Sequence, residues 1–90
     1  MELTQNEIKR IMNNWVNGTI AEYREKGIKL NRAKMAQQLD ITQSCFSQYL
    51  NPSHPKAAPW EFQHKLAEML NKSIRELHPE LIDLSLSFAA

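Results

Sequence analysis

"NRAKMAQQLDITQSCFSQYLNP", residues 31–52, sets two short helical patterns almost end to end, and nothing else in the chain limits the fold as much. Asn31 can cap a helix over 32–39, with Ala33, Ala36 and Leu39 facing inward. Asp40 and Ile41 form a tight turn, and Thr42 can cap a helix over 43–50 whose apolar stripe is Phe46, Tyr49 and Leu50. With about three residues between them, two such helices make a helix-turn-helix corner. Ala36 is small enough to let them approach, and Leu39, Ile41, Phe46 and Tyr49 fill the angle.

The second of these helices carries no charged residue, and its outward positions are Gln43, Ser44, Ser47 and Gln48. A merely solvated face would use Lys and Glu. Gln can bond an adenine edge bidentately, and Ser can donate to or accept from several bases. Lys would bind phosphate at any sequence, and Glu would be repelled by a duplex. In this corner the second helix enters the major groove, while the start of the first meets the backbone. The plainer reading is a small helical bundle whose Gln/Ser face lies in water.

Charge is distributed to match. The net charge is only +1, but residues 24–34 hold Arg24, Lys26, Lys29, Arg32 and Lys34 against Glu25, a local +4. Residues 76–83 hold Glu76, Glu80 and Asp83 and no Lys or Arg. One basic face beside the helix pair and an acidic C-terminal end are the expectation.

The remaining helices are signalled by their ends. Thr4 and Glu7 form a capping box, with Leu3 and Ile8 as a hydrophobic staple. Ile8, Ile11, Met12, Trp15, Thr19, Ile20 and Tyr23 then recur at helical spacing, and Gly27 is a stop. Gly18, after Asn17, is expected to kink or interrupt this helix. Residues 51–59 hold three prolines and form a loop. Pro59 suits the first position of a helix that buries Phe62, Leu66, Met69 and Leu70 and stops at Asn71 in the left-handed conformation. Ser73 can cap one further turn with Ile74 and Leu77, ended by Pro79. The tail reads two ways: Leu77, Leu81, Leu84 and Phe88 share a helical face, while Ile82, Leu84, Leu86 and Phe88 alternate like a strand. In either form it has more apolar surface than a free tail exposes, so a partner subunit is expected to cover it.

"LTQNEIKR", "LNRAKMAQQLDITQSCFSQYLN" and "LAEMLNKSIRELHPEL", in that order, resemble the DNA-binding domain of lambda repressor and the wider Cro/repressor helix-turn-helix family over nearly the whole chain. The resemblance implies an all-α, compact five-helix domain over residues 1–78, with its motif at 32–51, and a dimerisation segment over 79–90. It implies a sequence-specific binder of double-stranded DNA, a phage or prophage transcriptional repressor of the Cro-like kind, acting as a homodimer on a palindromic operator. Gln43 and Ser44 match the family's principal base-contacting positions and Gln48 a third, with Ser47 beside them on the same face. Arg32 stands where the family clasps phosphate with a Gln, and Asn51 matches a backbone-contacting Asn. Lys34, Ser53, Lys56, Lys26 and Lys29 are the further phosphate candidates. Leu81, Ile82, Leu84, Leu86 and Phe88 are the expected dimer contacts.

Three departures qualify the likeness. Asp40 replaces the family's usual turn Gly, at a modest strain. Only Met1 and Glu2 precede the first helix region, so a wrapping basic arm is not expected. The loop 51–59 is longer and richer in proline. No self-cleaving regulatory domain is expected. The alternatives are an antitoxin that holds its toxin with residues 76–88, and a protein-interaction module of the antirepressor kind that has lost DNA binding.

No enzyme, metal or cofactor is expected. His54, His64 and His78 lack metal-ligand spacing and read as surface or loop residues. Cys45 stands alone, so no internal disulfide can form, and nothing supplies the other parts of a nucleophilic site. Trp15 and Trp60 read as core or core rim, and two glycines in total make no phosphate loop. No apolar run approaches the ~18 residues of a membrane span, and no signal peptide opens the chain, so the cytoplasm is the expected setting.

Overall fold

The computed structural model describes residues 2–81, and no strand occurs among them. Among the described residues four α-helices follow in order: α1 (Gln5–Glu25), α2 (Arg32–Gln38), α3 (Gln43–Leu50) and α4 (Trp60–Met69). The further turn expected after α4 is a single 3₁₀ turn, Ile74–Glu76, with Ser73 accepting from the Arg75 N–H. Both tail alternatives, and the contacts expected of Ile82, Leu84, Leu86 and Phe88, lie outside the described residues. Leu81 is described, and it is half-buried within its own chain.

Short-range hydrogen bonds set the helix boundaries. Thr4 Oγ1 accepts from the Glu7 N–H, and the Glu7 carboxylate accepts from the Thr4 N–H at 3.1 Å. Asn31 Oδ1 and Thr42 Oγ1 accept from the third N–H of α2 and α3 in the same way. Three helices end alike. Gly27, Asp40 and Asn71 take positive φ of 77°, 59° and 57°. Beyond each of them the next N–H reaches back to the helix: Ile28 to Tyr23, Ile41 to Ala36, Lys72 to Ala67. That is the Schellman closure, which satisfies carbonyls a helix end would otherwise strand. Asn and Asp are the residues besides Gly that enter this conformation at small cost.

The core gathers one face of each helix. Ile8, Met12, Trp15 and Val16 of α1 meet Met35 and Ala36 of α2, Phe46 and Leu50 of α3, and Phe62, Leu66 and Ala67 of α4, with Ala58 and Leu77 closing the ends. Phe46 stands edge-on to Phe62 at 5.9 Å between ring centroids, and Tyr49 lies 4.8 Å from the same ring. These rings wedge α3 against α4, an arrangement aromatic quadrupoles favour.

Several expectations are corrected. Ala33 is exposed, and Met35 takes the inward place beside Ala36. Residue 33 lies roughly 200° round a 3.6-residue helix from Met35, so the two cannot share a face. Pro59 is the N-cap of α4 rather than its first residue, its carbonyl accepting from the Gln63 N–H. Trp60 is therefore at the start of α4, before the inward face begins, and is 52% exposed with its ring 4.9 Å from that of His78. His78 is not a free surface residue. It is half-buried, its Nε2 lies within hydrogen-bond reach of buried Gln63, and its Nδ1 is 3.1 Å from Glu80.

Gly18 does not interrupt α1, which runs unbroken to Glu25. Trp15 and Val16 on one side and half-buried Ile20 on the other hold the chain helical across it. A methyl added at Gly18 would meet nothing within 4 Å. Gly18→Ala should thus stabilise the fold by about 0.5–1 kcal/mol, the ordinary helix-interior cost of glycine. Thermal melting checks this, and an unchanged or lower midpoint would contradict it.

Candidate nucleic-acid interface

α3 is held by one side and open on the other. Its cap at Thr42 fixes where it starts, and Phe46 and Leu50, four residues apart, bury its inner stripe with Tyr49 beside them. The same rotation turns Gln43, Ser44 and Ser47 outward, with Gln48 half-buried at the margin. Gln43, Ser44, Ser47 and Gln48 line one open depression together with Asn51 and His54. Amides, hydroxyls and an imidazole face solvent there, and no carboxylate does.

Behind that surface stands a residue the sequence reading passed over. Lys9 of α1 is 1% exposed, and the three hydrogens of its ammonium are shared among four backbone carbonyls, those of Gln48, Asn51, His54 and Lys56, at 2.5 to 3.3 Å. Burial pulls its pKa below the ordinary lysine value. The carbonyls oppose that loss by replacing the water the ammonium gives up. Gln48 and Asn51 are at the C-terminal end of α3, where a cation also meets the negative end of the helix dipole.

The prolines of the loop acquire a reason here. Asn51 and His54 each precede a proline, Pro52 and Pro55. A proline has no N–H, so turning the preceding carbonyl inward leaves no amide proton stranded on the outer side. The loop wraps one cation. A sequence signal existed: Lys9, Met12 and Val16 share the spacing of an inward helical face, and the first of the three is a lysine.

The basic candidates separate into groups. Arg32, at the start of α2, lines a second depression with Asn13, Ser47, Leu50, Asn51 and Pro52. Ser47 and Asn51 belong to both depressions, so this one adjoins the α3 face. Asn51 is exposed, and its Oδ1 accepts from the N–H of exposed Ser53. Lys56 lies over the Tyr49 ring at 5.5 Å, and Lys34 Nζ donates to the carbonyl of Lys29. Lys26 sits over Tyr23 and lines a different depression, with Met69 and Lys72. Gln43, Ser44, Ser47, Gln48, Asn51 and Arg32 are thus contiguous, whereas Lys26 belongs elsewhere on the surface.

Among the described residues no group of acidic, histidine and cysteine side chains could hold a metal ion, and no helix is long and apolar enough to cross a membrane.

Compared with known proteins, the chain matches no family model, no curated protein and no solved structure.

Proposed function

We propose that this chain is a sequence-specific binder of double-stranded DNA that works as a transcriptional repressor, with α2 and α3 as its helix-turn-helix. On this reading α3 enters the major groove, Gln43, Ser44, Ser47 and Gln48 address base edges, and Arg32 and Asn51 hold the backbone alongside. The observation that carries it is the exposed, uncharged hydrogen-bonding row on α3 with an arginine in the adjoining depression. A groove reader needs that combination: neutral donors and acceptors discriminate bases, and a cation nearby supplies affinity without discrimination. One copy spans only a few base pairs. Two copies would place their reading helices about one helical turn, ~34 Å, apart on a roughly palindromic site. Occluding a promoter requires no further surface, which favours repression. The resemblance to the lambda repressor and Cro family points the same way.

Selection of bound sites from random duplexes, at two salt concentrations, tests the reading. The expected result is a roughly palindromic enriched motif whose affinity falls with salt by a log–log slope of about −0.9 per phosphate neutralised. No enrichment and no salt dependence would leave the protein-interaction alternative standing instead.

A further inference from the structure

Arg32 is half-buried, and its Nη2 donates to Asn13 Oδ1 at 2.7 Å and to Asn17 Oδ1 at 2.8 Å. A guanidinium only donates, so both asparagine amides must turn their oxygens toward it. Both partners are neutral. Among the described residues no carboxylate lies within ion-pairing distance of Arg32. Burial lowers its pKa, with no acid beside it to offset the lost hydration.

A cation whose partners are neutral and whose remaining N–H groups have no acceptor keeps its full charge available to an anion from outside. Asn13 and Asn17 are one helical turn apart on α1, and both accept from the same nitrogen, Nη2, which fixes the direction of the guanidinium plane. Nη1 and Nε keep their hydrogens free of any acceptor among the described residues. The depression they adjoin holds Ser47 and Asn51 and no acid. Donors converge there without a counter-charge.

We propose that Asn13 and Asn17 are positioning residues that aim Arg32 at a phosphodiester, so that α1 sets where the backbone lies against the α3 face. Because Ser47 and Asn51 border both depressions, a phosphate held at Arg32 would flank the row from Gln43 to Gln48. The inference rests on the duplex reading given above for its biological ligand, but not for its chemistry. With Nη2 already engaged, a phosphate oxygen would be met by single N–H···O bonds from the remaining guanidinium hydrogens, which lie in one fixed plane, so the aim of that plane matters as well as its charge.

Asn17→Asp and Asn13→Asp test it, because each keeps the side-chain length and supplies the missing counter-charge to Arg32. On the full chain, binding of a fixed duplex is followed by fluorescence anisotropy across a salt series. Each variant should flatten the log–log slope by about 0.9, one phosphate contact, and leave the ratio of preferred-site to random-sequence affinity unchanged. An unchanged slope in the Asp variants overturns the proposal. Asn17 is the exposed position, so Asn17→Asp carries the test should Asn13→Asp fold poorly. Dimethyl phosphate, titrated while the Arg32 Nε–H resonance is observed, separates the two claims. If the wild-type chain binds no duplex but that resonance moves, and does not move in Asn17→Asp, the duplex reading falls and the anion seat stands. No movement in the wild-type chain overturns the seat.

Discussion

Lys9→Met should lose about 3–5 kcal/mol of folding stability, the largest effect expected of a single substitution considered for this protein. Methionine keeps the unbranched stem, so lost packing volume cannot account for the change. What disappears is the ammonium, leaving the carbonyls of Gln48, Asn51, His54 and Lys56 turned toward one another around an apolar side chain. A buried acceptor left unsatisfied costs about 1–3 kcal/mol, and the loop can relieve part of that total by admitting water. Small domains have only about 5–15 kcal/mol in all, so this loss is a large share of the total. Urea denaturation measures it. A loss under about 1 kcal/mol would mean that water already serves those carbonyls and that Lys9 does not organise the loop. The change should also be felt at the surface, because Asn51 is at once a Lys9 acceptor and part of the α3 face.

Gln43→Ala should weaken binding to the preferred duplex by about 1–3 kcal/mol, roughly five- to 150-fold in Kd, and change binding to random sequence little. Gln43 is exposed at the first position of α3, and no hydrogen bond within the described chain depends on its side chain, so the fold should be unaffected. Anisotropy titrations against a selected site and a scrambled one give both numbers, with thermal melting as the check on folding. An equal loss on every sequence would mean that Gln43 supplies general affinity, and the base-reading role would be withdrawn. The pairing with Arg32 is informative, since a phosphate contact acts on all sequences alike and on the salt slope.

Much of the helical frame was legible in the chain because helix ends are decided within a few residues. The capping box at Thr4 and Glu7, the caps at Asn31, Thr42 and Ser73, and the left-handed stops at Gly27, Asp40 and Asn71 are each closed by partners no more than five positions away. Gly18 misled for the complementary reason. Its local weakness is real, but the side chains around it are anchored in a core that no short window reveals. Ala33 and Met35 show the same limit at single-residue scale, where the face that turns inward depends on what α2 packs against. Trp60 missed the core by one position in the placement of a cap.

The candidate site divides along that line. Composition and spacing alone determined that α3 would present Gln43, Ser44 and Ser47 to solvent, because Phe46 and Leu50 had to face inward and a helix permits only one rotation that does this. Which groups stand behind and beside that face was decided only when the chain folded. The carbonyls around Lys9 come from residues 39 to 47 positions away, and the asparagines that grip Arg32 from 15 and 19 positions away. A lysine or an arginine in a sequence carries no sign of its partners at such distances. Only the packing of α1 across α2, α3 and the proline loop brings an ammonium to carbonyls and a guanidinium to amides, since a buried cation must find its acceptors wherever the fold has placed them.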